Sequence, residues 1–191
     1  MIDSPLLTLV DPWTPQDDPV TLARTRIFDL LQRHWSSAVD PSRHGDFVHL
    51  RCPDWANVIA LTPSDEVVLV EQFRFGIGRV TLEIPSGIVA ENEPPAGTCV
   101  RELLEETGYA GDGVEIIGRV SANPAILSNY LHTGLIRDCR PAGSQALDEH
   151  EEIGVRLVPL ADIPDLLRQG VIHHSLVVAA FQHLWVRGGL G

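Results

Sequence analysis

Residues 87–109, GIVAENEPPAGTCVRELLEETGY, decide how the chain is read. Glu102, Glu105 and Glu106 fall within five residues, behind Arg101 and ahead of Gly108. Like charges at i, i+3 and i+4 of a helix repel, and no lysine follows to relieve them. Taking residues 96–107 as a helix and stepping about 100° per residue from Glu102, Glu105 and Glu106 fall at about −60° and +40°. Ala96, Val100, Leu103, Leu104 and Thr107 fall between about 100° and 200°, so a core stripe is expected opposite a carboxylate face. Glu93, Pro94 and Pro95 suit a first turn, and Gly108 suits the C-terminal stop. An isolated acidic run is ordinarily a solvated face. Here the unrelieved repulsion and the oxygen-only donors point to a hard divalent cation such as Mg²⁺ or Mn²⁺.

Outward from this stretch, short apolar runs alternate with turn residues. FVHLRC, ANVIALT and EVVLVEQFRF precede it and read as antiparallel strands, with the middle one buried on both faces and a hairpin at TPSDE. VTLEIP leads into the loop at Pro85 and Gly87. VEIIGRVSA, NYLHTGLIRD and IGVRLVP read as later strands, separated by Asn123-Pro124-Ala125 and by the acidic loop RPAGSQALDEHEE. Two helices close the chain, near ADIPDLLRQ and HHSLVVAAFQHLWV, the second with Leu176, Ala179, Ala180, His183 and Leu184 on one side. Residues 22–39 are read as extended, and residues 1–20, with Pro5, Pro12, Pro15 and Pro19, as an arm with little helix. An α+β or layered α/β/α domain follows, expected over residues 46–191, preceded by an N-terminal segment over residues 1–45.

Composition narrows the function. The 191 residues suit one domain with a small extra segment. Fourteen Lys and Arg against 26 Asp and Glu give a formal charge of −12, and no basic run offers a nucleic-acid surface. Cys52, Cys99 and Cys139 form no C-x-x-C pair, so neither a zinc site nor a disulfide framework is expected. No apolar run approaches the ~20 residues of a membrane span and no cationic leader is present, so a soluble cytoplasmic protein is expected. The eight histidines include no H-E-x-x-H pair, and G-x-S-x-G, Walker A and G-x-G-x-x-G patterns are absent.

The central stretch resembles the signature of the Nudix hydrolases: G, five residues, E, seven residues, then R-E-U-x-E-E-x-G-U, with U a bulky apolar residue. Gly87, Glu93, Arg101, Glu102, Leu103, Glu105, Glu106 and Gly108 all match, and Tyr109 alone departs, being aromatic where an aliphatic is commoner. The resemblance implies a loop–helix–loop in an α/β/α sandwich with a mixed sheet. It makes Glu102, Glu106 and the Ser86 carbonyl metal ligands, with Glu105 a nearby ligand or water-orienting group. Arg101 would be structural, pairing with Glu93, and Gly87 and Gly108 would shape the loop and the helix end.

The flanks resemble the ADP-ribose and nucleoside diphosphate sugar pyrophosphatase branch through VEQFR, EIPSG and Pro124, which lies 15 residues beyond Tyr109. In that branch the segment from Asp148 to Ile153 resembles an E-x-E-x-I element, which makes Glu149 a candidate base and Glu151 an extra metal ligand. Gly154, where relatives are often acidic, departs from it. Arg74, Ile88 and Pro124 are the candidate substrate-binding residues, and Trp35, Phe47 and Trp55 offer aromatic surfaces for a base. The expected reaction is Mg²⁺-dependent hydrolysis of ADP-ribose or a related nucleoside diphosphate sugar. GDP-mannose hydrolysis and a nucleotide sensor without turnover are the alternatives. The N-terminal segment of that branch commonly pairs across a homodimer, and the same is expected here.

Overall fold

The computed structural model describes residues 9–188. The expected arm therefore lies outside the described residues over positions 1–8. The chain forms two compact units, one holding residues up to Cys52 together with Asn123–Ser128, the other holding Pro53–Ala122 and the chain from Asn129 onward.

In the first unit β3 (Asp29–Ser37) is the central strand. Strand β4 (His44–Arg51) pairs along it antiparallel, and β1 (Trp13–Pro15) and β2 (Val20–Arg24) share its other side. Residues 22–37 are thus extended apart from the turn at Thr25–Phe28, where the Thr25 hydroxyl donates to the Phe28 carbonyl at 2.7 Å, and Ala38 and Val39 bend away from the expected strand. The short segment 123–128 joins this unit because Leu50 N–H donates to Ile126 O and Ser128 N–H to Leu50 O.

The second unit carries β5 (Trp55–Ala60), β6 (Glu66–Arg74), β7 (Arg79–Glu83), β8 (Ser86–Ile88), α1 (Pro95–Thr107), β9 (Tyr109–Ser121), β10 (Tyr130–Pro141), β11 (Ile153–Pro159), α2 (Ile163–Arg168) and α3 (Ser175–Val186). Four strands run in the order β8-β5-β10-β9 and three in the order β11-β6-β7. Strand β5 explains the layering. Its residues alternate between two cores: Ala56, Val58 and Ala60 face Cys99 and Leu103 of α1, and Ile59 packs with Phe181, Ala180 and Leu184 of α3. A strand covered by a helix on each face reads as a near-continuous apolar run, as ANVIA does.

Two expectations change. The TPSDE hairpin is reduced to one bridge, Leu61 to Val67, because β5 and β6 diverge into different sheets and β5 takes β10 as a parallel neighbour. The buried stripe of α3 is Val177, Ala180, Phe181 and Leu184, rotated by about one residue from the expected set, since Phe181 offers the largest apolar area to bury.

Candidate active site

Helix α1 begins at Pro95, whose missing N–H costs nothing in a first turn, and stops at Gly108 in the left-handed region at φ 73°. Its buried residues are Thr98, Cys99, Leu103, Glu106 and Thr107, while Val100 and Leu104 are 43% and 41% exposed. The core stripe is therefore rotated toward the carboxylates relative to the expected face, because the small side chains of Thr98 and Cys99 let that side approach the sheet. One consequence is chemical: Glu106 borders the core and is only 4% exposed.

Strand β8 sets the loop against this helix. Asn57 and Trp55 pair with Ser86 and Ile88, and Val58 N–H donates to Pro85 O. The Ser86 N–H then donates to Glu106 Oε2 at 3.1 Å. Gly87 passes so close to α1 that a Cβ there would lie 1.8 Å from Glu102 Oε1. Arg101 ties loop and helix together. Its guanidinium reaches both Glu93 oxygens at 3.1 Å, Glu102 Oε1 at 2.7 Å, Glu105 Oε2 at 3.0 Å and the Ile88 carbonyl at 3.3 Å. These bonds hold Glu93 down at about 2.

The electrostatics of the other two glutamates run the opposite way. Burial, the Glu102 charge and the Glu151 charge push Glu106 up to about 8, against the opposing Ser86 N–H and Arg74. Burial also raises Glu102, with Glu105 and Glu151 adding to it and Arg101 opposing. Among the described residues, no three such side chains already converge on one point. Arg101 holds Glu102 and Glu105 on its own guanidinium, while Glu106 accepts from the Ser86 N–H. The donor set still fits a hard divalent cation: only oxygens are offered, and a dication would offset the burial and repulsion that raise Glu106.

The acidic loop is fastened to the end of α1. Gln145 Nε2 donates to Glu106 O at 2.6 Å and to Ile153 O at 3.0 Å, and Ala146 N–H donates to Glu105 O. These donors satisfy carbonyls that a helix end leaves open. Glu151, held by the Asp148 N–H at 3.0 Å, is the loop carboxylate whose charge reaches Glu102 and Glu106. Glu149 is exposed in the turn beside it.

Arg74 does not stand free at an edge. Its Nε and Nη2 donate to Glu83 at 2.8 and 2.7 Å, while its charge still acts on Glu106. Glu83, 1% exposed, escaped the sequence reading: a single acid in TLEIP gives no periodic signal that four donor bonds converge on it. Ile88 is partly exposed beside Gly87. Pro124 belongs to the first unit, as do Trp35, under the Arg33 guanidinium at 5.7 Å, and Phe47, edge-on to Trp13 at 5.6 Å. Trp55 stands in β5, opposite Ile88.

The NUDIX domain model matches residues 53–181, which hold every residue of this loop and helix. The chain belongs to the Nudix family. The Nudix chain is 30% identical over 139 residues to the ADP-ribose pyrophosphatase of Bacillus subtilis (strain 168), covering 72% of this chain and 75% of that one. It is 30% identical over 155 residues to the GDP-mannose pyrophosphatase of Cronobacter sakazakii, covering 76% and 80%. A methanol dehydrogenase activator of Bacillus methanolicus is 31% identical over 145 residues, covering 74% and 77%. A crystal structure of an ADP compounds hydrolase superposes with a TM-score of 0.82 over 96% of this chain and 98% of that one, at 20% identity, and shares the fold. No helix among the described residues is long and apolar enough to cross a membrane.

Proposed function

We propose that this Nudix hydrolase cleaves the diphosphate of ADP-ribose or a related nucleoside diphosphate sugar, adding water across the P–O–P link to give a nucleoside monophosphate and a sugar phosphate. The observation that carries the reading is the buried Glu106 carboxylate, crowded by Glu102 and Glu151 and offered one backbone donor, from Ser86. Such a group is costly unless a cation belongs beside it.

The Ser86 carbonyl, Glu102, Glu106 and Glu151 would hold Mg²⁺, with Mn²⁺ as a substitute. Bound there, the cation supplies charge neutralisation for the diphosphate and acidifies a water. Arg74 contributes Nη1, which makes no hydrogen bond among the described residues, as a donor for a phosphate oxygen. Glu149 takes the proton of the attacking water, with Glu105 as the alternative base. Arg101 and Glu93 brace the loop, and Ile88 lines the substrate. The N-terminal segment serves as a dimerisation element, and sedimentation at micromolar concentration should give a homodimer; a monomer overturns that part.

The GDP-mannose reading draws support from the similarity to the Cronobacter sakazakii pyrophosphatase. One assay separates the substrates. Purified protein with Mg²⁺ is incubated with ADP-ribose, ADP-glucose, GDP-mannose and UDP-glucose, and nucleoside monophosphate release is measured. Fastest release from ADP-ribose is expected, whereas tight binding without turnover across the panel would identify a sensor.

A further inference from the structure

Glu83 lies deep in the second unit and receives four hydrogen bonds from three side chains. Arg74 donates two, Thr81 Oγ1 donates one at 2.6 Å, and Nδ1 of His174 lies 2.8 Å from Oε2. Burial alone would raise this carboxyl, but the bonds from Arg74, His174 and Thr81 outweigh it and hold the group well below its ordinary range. An ionised carboxylate has no proton to give, so Nδ1 of His174 must carry the shared one.

The geometry has a direction. Strand pairing sets Val70 against Glu83 and Gln72 against Thr81, so Arg74, Thr81 and Glu83 share one sheet face. Val68, on that face by the alternation of β6, packs with Cys99 and Leu103 of α1. His174 comes from elsewhere: it is the residue before α3, 91 positions along the chain from Glu83. The N-terminal turn of α3 is also tied to β5, where Asn57 Nδ2 donates to Leu176 O at 3.2 Å. The histidine is thereby fixed by backbone structure, and its side chain is 35% exposed. It supplies no side-chain cap to its own helix.

We propose that His174 is a positioning residue for substrate binding: it holds the Glu83 carboxylate in the one orientation that keeps Arg74 aimed at the diphosphate. This rests on the proposed pyrophosphatase reading and extends it to a residue on the far helix. Without the imidazole donor, Oε2 of Glu83 keeps Arg74 alone while Thr81 and Arg74 still hold Oε1, so the carboxylate can turn about Oε1 and the guanidinium turns with it. Ground-state binding is lost while the chemical step, carried by the α1 carboxylates, is spared.

The test is a double-substitution cycle with His174→Ala, Arg74→Gln and the pair, together with His174→Asn, whose amide nitrogen sits where Nδ1 does. ADP-ribose turnover is measured with Mg²⁺, and binding of a non-hydrolysable methylene analogue is measured by calorimetry, so the coupling is read with or without turnover. KM and Kd should rise on the order of tenfold in His174→Ala, with kcat within about twofold. His174→Asn should recover most of that loss, and His174→Ala should add nothing in the Arg74→Gln background. Wild-type KM and Kd in His174→Ala, or a full additive loss in the double variant, would reduce His174 to a structural role. A wild type that binds the analogue but has no turnover sinks the hydrolase reading and leaves the cycle on Kd intact; a wild type that does not bind it overturns both.

Discussion

The position that a Cβ would take on Gly87 falls 1.8 Å from Oε1 of Glu102, so loop and helix meet at a distance only glycine allows. The obstacle is the end of a flexible side chain rather than backbone, so substitution should move the carboxylate without unfolding the domain. Gly87→Ala is expected to lower kcat/KM by about 100-fold while shifting the urea midpoint little. A variant with wild-type kinetics would remove Glu102 from the working site.

Glu106→Gln tests the buried acid. Loss of a direct ligand should exceed the 10- to 100-fold cost typical of an outer partner, so turnover should fall more than ~100-fold. Stability should move the other way in chelator. The folded protein holds Glu106 at about 8, above its ordinary 4.5, so the fold binds the proton more tightly than the unfolded chain does. Its contribution is present below pH 4.5 and is lost as pH rises toward 8. In EDTA the wild-type Tm should therefore fall over that range through this group, while Glu106→Gln should be flatter and higher at pH 8. Added Mg²⁺ should restore the wild type selectively.

Arg101→Lys keeps the charge but loses the fork that spans Glu93, Glu102, Glu105 and the Ile88 carbonyl. The expected cost is about 1–2 kcal/mol in urea unfolding, since several charge-assisted bonds are lost at a half-exposed site. Unchanged stability would make the network ornamental.

The two loop glutamates should separate by readout. Glu151→Gln is expected to weaken Mg²⁺ activation, seen as a higher metal concentration at half-maximal rate, because its charge reaches Glu102 and Glu106. Glu149→Gln should lower kcat with the metal requirement unchanged. Exchange of these two phenotypes would exchange their roles.

Much of this was legible in the chain. Gly87, Glu93, Arg101 and the three glutamates announce themselves because a loop–helix–loop is local, so spacing along the sequence becomes spacing in the structure. The strands were legible from apolar alternation, but their partners were not: β5 and β6 look like a hairpin until β10 arrives from about 75 positions later to pair with β5. Pro124 shows the same limit, since its segment bonds Leu50 and belongs with it to the first unit.

By itself the sequence determined the family signature, the helix with its stop at Gly108, and the set of acids offered to a cation. Tertiary structure decided which of those acids is buried. The rotation of α1 that brings Glu106 to the core edge depends on what Thr98, Cys99 and Leu103 meet across the sheet. The fourth bond on Glu83 depends on the start of α3 delivering His174 from 91 positions away. Burial and long-range hydrogen bonding are properties of the packed chain, and a carboxylate's charge state follows them.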